Sequence, residues 1–146
     1  MQRLFESSKT VLCVTTAAGA AGTSAITSTA VDMQSFDAVR FVVAIGPVVT
    51  GAVTSFKLQQ SSDDGVADGY SDLLGTSQTI ADDADNTHQW VDVFRPEKRY
   101  LKMVISRATQ NATIGSVIAD CYNHDSLPVV QTATGESFIA PAEGTA

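Results

Sequence analysis

At 146 residues and a formal net charge of −7, the chain is sized for one domain that buries roughly two-thirds of its unfolded surface. Hydrophobic residues make up 44% and charged residues 17%, which excludes intrinsic disorder and leaves a thin charge layer. The charge deficit sits in Ser61–Asn86, where Asp63, Asp64, Asp68, Asp72, Asp82, Asp83 and Asp85 occur with no base; such a segment repels a phosphate backbone, so nucleic acid is not an expected partner.

Residues 1–24 read as an N-terminal arm. A short strand is predicted at Thr10–Thr16, followed by the joint Ala17-Ala18-Gly19-Ala20-Ala21-Gly22, whose density of small residues favours mobility over packing. The start imitates a signal peptide, with Arg3 and Lys9 ahead of an apolar patch. Glu6 interrupts the basic part, and Val11–Val14 falls well short of the ~7–15 apolar residues of a secretory core, so export is not expected. No run approaches the ~18 apolar residues of a membrane-spanning helix, so no membrane is implied.

Residues 25–122 form the body. Strands are predicted at Ala25–Asp32, Ala38–Ile45, Val53–Ser61, Gln78–Ile80, Gln89–Phe94, Tyr100–Arg107 and Thr113–Tyr122, punctuated by Gly, Asp, Asn and Pro. Several alternate with the period of two of a half-buried strand: Phe56 and Leu58 share a face, as do Leu101, Met103 and Ile105. Arg40–Ile45 is nearly continuous and should be the most buried strand. Hairpins are expected between Gln89–Phe94 and Tyr100–Arg107, and between the last two strands around Asn111. The fold class is all-β, an antiparallel β-sandwich or β-barrel of jelly-roll-like kind. Residues 123–146, with Pro128, Pro141 and no sustained period, read as an extended C-terminal tail.

The chemistry-bearing residues are sparse. Neither histidine, His88 or His124, has a motif partner for nucleophilic catalysis, and both read as surface or turn residues; enzyme activity is not expected. Asp82-Asp83-Ala84-Asp85-Asn86 and Asp63-Asp64-Gly65 cluster oxygen ligands but do not follow the calcium-loop order, so no metal or cofactor is assigned. Cys13 and Cys121 lack metal spacing and read as buried free thiols that pair only if the first and last strands are neighbours with suitable geometry. Trp90 and Phe94 share one strand face, as a sugar-stacking platform would require, but core packing is the preferred reading. Asn111-Ala112-Thr113 matches a glycosylation acceptor, which carries no weight in a chain not expected to be exported.

Several framework stretches carry a resemblance: Thr27–Phe36, Phe41–Gly46, Lys57–Gly65, Lys98–Lys102 and Ile118–Tyr122, together spanning roughly residues 25–125. Read together they resemble the small virion proteins of tailed phages encoded beside the major capsid protein. The resemblance implies a capsid decoration (cement) protein, homotrimeric, on the outside of the phage head, made in the host cytoplasm. Its partner would be the major capsid protein. A mobile arm could add a strand to an exposed sheet edge of the shell, with Leu4, Phe5, Val11 and Leu12 as docking residues. The rival readings are a head–tail joining or tail protein and a carbohydrate-binding module using Trp90 and Phe94.

Overall fold

The structure is a computed structural model that describes residues 3–140 and 142–144. Residues 1–2 of the arm and residues 141 and 145–146 of the tail, including Pro141, lie outside the described residues. The chain is 48% strand and 3% helix. A single helical turn, α1 (Leu4–Ser7), precedes β1 (Ser8–Val14), β2 (Ile26–Thr27), β3 (Val31–Asp32), β4 (Phe36–Val48) and β5 (Val53–Ser61). Then follow β6 (Ser71–Asp72), β7 (Gln78–Ile80), β8 (His88–Phe94), β9 (Tyr100–Ala108) and β10 (Ala112–His124).

These strands build two antiparallel sheets. Sheet A has the order β1-β10-β4-β8. In sheet B, β9 and β5 are central, with β2 and β3 on the free side of β9 and β6 and β7 on the free side of β5. With β2/β3 and β6/β7 each counted as one interrupted strand, the chain alternates between sheets except where β5 and β6/β7 follow one another within sheet B, as in a double-sheet jelly roll. The inward side chains of both sheets, among them Val39, Phe41, Val43, Val117 and Ala119 from A and Phe56, Leu58, Leu101, Met103 and Ile105 from B, fill one core. No closed barrel forms, so of the two expected architectures the sandwich is the one observed. Hydrogen bonds bridge its two open sides: the Thr29 N–H and hydroxyl donate to the Cys13 carbonyl, and the Gln89 and Gln78 side-chain amides donate to the Thr79 and Trp90 carbonyls.

The predicted strand Ala25–Asp32 is interrupted at Ser28–Ala30. Ser28 takes a ladder place with its side chain, its hydroxyl oxygen accepting from the Met103 N–H while its own N–H donates to the Met103 carbonyl. On the other side of the sheet the Thr76 hydroxyl likewise accepts from the Leu58 N–H between β6 and β7. A hydroxyl one bond beyond Cβ reaches where a receding backbone does not, so the ladder stays satisfied.

Both expected hairpins are overturned. β8 pairs with β4 in sheet A, from Ala38↔Phe94 to Ala44↔His88, whereas β9 pairs with β5 in sheet B. The linker between them is tied to both sheets: the Arg95 N–H donates to the Asp37 carbonyl and the Arg99 carbonyl accepts from Met33. Arg95 turns the chain with φ 53°. Likewise β10 leaves β9 for sheet A through Thr109, φ 70°, and pairs with β4 and β1.

The N-terminal segment is part of the body. β1 pairs with β10 from Ser8↔Tyr122 to Val14↔Val117, with a bulge at Cys13. The Ala/Gly joint, expected to be mobile, is packed instead. The Arg107 guanidinium, buried and without a carboxylate partner among the described residues, donates to the carbonyls of Ser24, Ala20 and Ala112 at 2.7, 2.7 and 2.8 Å. Gly19 lies so close to Ile114 that a Cβ there would strike its carbonyl oxygen. Small residues here permit backbone contact rather than freedom. Cys13 and Cys121 lie on neighbouring strands, but the register partner of Cys121 is Lys9. Four residues along the strand, ~13 Å, separate Lys9 from Cys13, too far for a disulfide. Both thiols are free and buried, and burial pushes them up to about 11 and about 12.

Two substitutions test this packing. Gly19→Ala should cost roughly 1–3 kcal/mol, read as a lowered urea midpoint, because the backbone must move to admit the methyl. Thr54 is buried in β5 with its hydroxyl unpartnered among the described residues. Thr54→Val removes that orphaned group and should raise stability by about 1 kcal/mol in the same assay.

Candidate functional site

The outward faces of the two sheets differ in chemistry. On sheet B, β5 and β9 turn outward Ser55, Lys57 and Gln59 beside Lys102, Val104 and Ser106. On sheet A the register lines up four strands in rows. Ser8, Tyr122, Ala38 and Phe94 form one row, Thr10, Asp120, Arg40 and Asp92 the next, and Leu12, Ile118, Val42 and Trp90 a third. A polar row therefore runs between two rows rich in apolar and aromatic side chains. An outward sheet face of that composition marks an interaction surface.

Trp90 is 56% and Phe94 60% exposed, which overturns the expectation that both are core. Period two fixes that they share a face, but Val91 and Val93 supply the inward side of β8. The two valines fit beside the core strand β4, leaving the large rings outside. Arg95 stands over the Phe94 ring at 5.2 Å. Tyr122 pairs with Ala38, and its hydroxyl crosses to Asp92, donating to the carboxylate at 2.8–2.9 Å. Ala38 is fully buried beneath this bridge. Burial, and then the neighbouring carboxylate, raise the Tyr122 pKa. Arg40 pairs with Asp120 at 3.1 Å, and Thr10 donates to the same carboxylate at 2.8 Å. Arg40, Asp92, Asp120 and Tyr122, with Leu4, Phe94 and Leu127, line a groove of about 770 Å³.

The residues singled out for docking are divided by the fold. Leu4 (79% exposed) and Phe5 lie on α1, and Leu12 is exposed on the third row of sheet A. Val11 faces inward, half-buried against the core. α1 is held to the tail: the Val129 N–H donates to the Glu6 carbonyl, and the Gln131 amide to the carbonyls of Phe5 and Ser8. Beyond Gln131 the described tail residues are exposed, among them Phe138 and Ile139. Phe138 shares a shallow recess with Leu4 and Phe5. Arg40, Asp92 and Tyr122 were not singled out from the sequence. The outward position of Arg40 inside an apolar run was the available signal. β4 is continuous in hydrophobicity because its inner face, Val39, Phe41 and Val43, meets the core while Val42 and Ala44 are half-buried on the outer face.

The acidic segment is largely exposed, and its aspartates lock its loops. The Asp63 carboxylate accepts from the N–H groups of Val66, Ala67 and Asp68. Asp64 accepts from the Tyr70 hydroxyl, and Asp72 from Lys57 and Gln59. Asp82 and Asp85 accept from the Gly51 and Val48 N–H groups at 2.6 Å. Among the described residues, no group of three or more His, Cys, Asp or Glu could hold a metal ion, and no helix is long and apolar enough to cross a membrane. His88 is exposed, and His124 packs edge-on against Phe36 while its Nδ1 accepts from the Ser126 N–H.

Set against known proteins, the chain matches no family model and no curated protein.

The loop locks predict an acid dependence. Lys98, then the Ser62 N–H and hydroxyl, hold the Asp68 carboxyl down to about 2 from an ordinary 3.8. Because the folded value is depressed, this stabilisation is complete above the unfolded pKa and is lost as pH falls from about 4 towards 2. Asp68→Asn should melt below the natural protein at pH 7, and the gap should close as the pH approaches 2, read by thermal unfolding across that range.

Proposed function

We propose that this chain is a structural protein of a phage virion, a decoration protein that seats on the outside of the mature head and stabilises it. The framework stretches that carry the resemblance include parts of the central strands β4, β5, β9 and β10, so the likeness concerns the body of the sandwich. The observation that carries the reading is the apolar cluster at the termini. Leu4 and Phe5 of α1 and Phe138 of the tail stand exposed around one recess beside β1, with Ile139 exposed alongside. A rigid body with an apolar cluster on its terminal segments suits attachment to a larger surface.

In this role the major capsid protein takes up the Leu4–Phe5 turn and the tail, and Leu12 extends the contact along β1. β1 is paired with β10 on one side only, so docking through these side chains leaves its outer edge for pairing with a strand of the shell. Three copies around a local threefold point would multiply a modest single contact through effective concentration. Preference for the expanded shell stabilises that shell by mass action.

The test is to mix purified protein with undecorated, expanded heads and measure saturation and head melting. The natural chain should saturate the surface and raise the melting temperature of the heads. Leu4→Asp combined with Phe5→Asp should weaken binding at least roughly tenfold, since each charge would enter a desolvated contact. Unchanged binding by this variant would reject the docking assignment. Failure of the natural chain to bind, together with hexameric rings or tubes in solution, would move the protein to the tail.

A further inference from the structure

We propose that the β8 side of the outward face of sheet A binds a neutral oligosaccharide, with Trp90 and Phe94 as stacking surfaces and Asp92, Arg40 and Asp120 as partners for its hydroxyl groups. Its stacking rings stand on β8, at the opposite edge of sheet A from β1, and Phe5 and Phe138 of the terminal cluster lie outside it, while Leu4 borders both.

Trp90 and Phe94 project from one face of an edge strand, four residues or ~13 Å apart, each more than half exposed. Their neighbours across the ladder are Val42 and Ala38. Those side chains are small, so neither ring is walled in from the β4 side. A pyranose presents an apolar C–H face and an equatorial belt of hydroxyls. Rings at both ends and hydrogen-bonding groups between them match that division.

The polar groups are fixed in advance. Asp92 is oriented by the Tyr122 hydroxyl, and Asp120 by Thr10 and Arg40. All sit on strands of the sheet rather than on loops, which keeps a site in place. Each carboxylate retains lone pairs for further hydroxyl donors, and Arg40, half-exposed, retains N–H groups for hydroxyl acceptors.

The same row argues against other occupants. A protein laid on this face would bury two carboxylates and one guanidinium at the middle of its contact, where interface cores are depleted of charge. A sulfated, phosphorylated or uronate ligand would meet a row with one more acid than base, on a chain of net charge −7. Neutral hydroxyls pair with both signs without bringing in a charge. At one end Leu4 and Leu127 border the groove, while Trp90 continues the face at the other, so an extended chain fits better than a single sugar.

Trp90 is the sole tryptophan, so its emission reports on the site directly. The full-length protein is titrated with chitohexaose, cellohexaose and maltohexaose, and with heparin as the anionic control. At least one neutral hexasaccharide should give a saturable change in emission, and heparin none. Phe94→Ala and Asp92→Ala should each weaken that binding by roughly tenfold or more, with melting temperatures unchanged because both residues are exposed. Phe5→Asp with Phe138→Asp, both outside this groove, should leave it intact, which separates this site from capsid docking. No response to any of the three neutral sugars overturns the proposal, as does a response that survives both Phe94→Ala and Asp92→Ala. Heparin binding as tight as the sugars, or Trp90 buried by self-association in sedimentation, overturns it equally.

Discussion

One register, carried from β1 through β10 and β4 to β8, determines both the core and the surface of this protein. Side chains alternate along a strand, so a slip of one residue in any of these ladders would exchange its inner and outer faces. The long pair β4–β10 sits at the centre of sheet A, and its inward residues Val39, Phe41, Val43, Val117 and Ala119 are completely buried. The penalty for turning that set outward fixes the pairing. Everything on the outer face, from Leu12 to Trp90, is then placed as a consequence. Extra residues are absorbed locally, at the Cys13 bulge and around Ile114–Ser116, without loss of the alternation on either side.

A second theme is the use of side chains where backbone pairing ends. Ser28 and Thr76 complete the ladders at strand interruptions, and Arg107 ties two carbonyls of the segment between β1 and β2 to that of Ala112 at the start of β10. The aspartates of the acidic segment do the same for the loops that leave β5 and β7. A chain poor in aromatic residues and rich in small polar ones is thereby held firmly with few charges. The aromatic residues are correspondingly distributed: Phe41 and Phe56 are core, while Phe5, Phe94, Phe138 and Trp90 face outward.

On the functional reading developed above, the outward aromatics fall into two groups on sheet A and its flanks. The terminal group hangs on short segments anchored by Val129 and Gln131, so it adapts to a partner. The β8 group stands on a rigid strand with its polar neighbours oriented, as suits recognition of a small repeating ligand. A protein attached through the first would leave the second facing solvent.

The strands, their alternation and their turn residues were legible in the sequence because they are local properties. The faces carrying Phe56 and Leu58, or Leu101, Met103 and Ile105, follow from period two alone, and all five are buried as that pattern requires. Which strand lies beside which was not legible. Pro96 to Arg99 and Thr109 to Asn111 look like hairpin loops, yet both carry the chain to the opposite sheet, because their ends are bonded to different sheets. In β8 the pattern separated Trp90 and Phe94 from Val91 and Val93 but could not say which pair is inside, since both sets are apolar. Only the tertiary packing, which sets Val91 and Val93 against the core and leaves Trp90 and Phe94 outside, settled that. The small residues of the joint carried the same ambiguity, for glycine serves equally where a chain must bend freely and where two backbones must touch. The packed Arg107 and the neighbouring Ile114 carbonyl decided for contact.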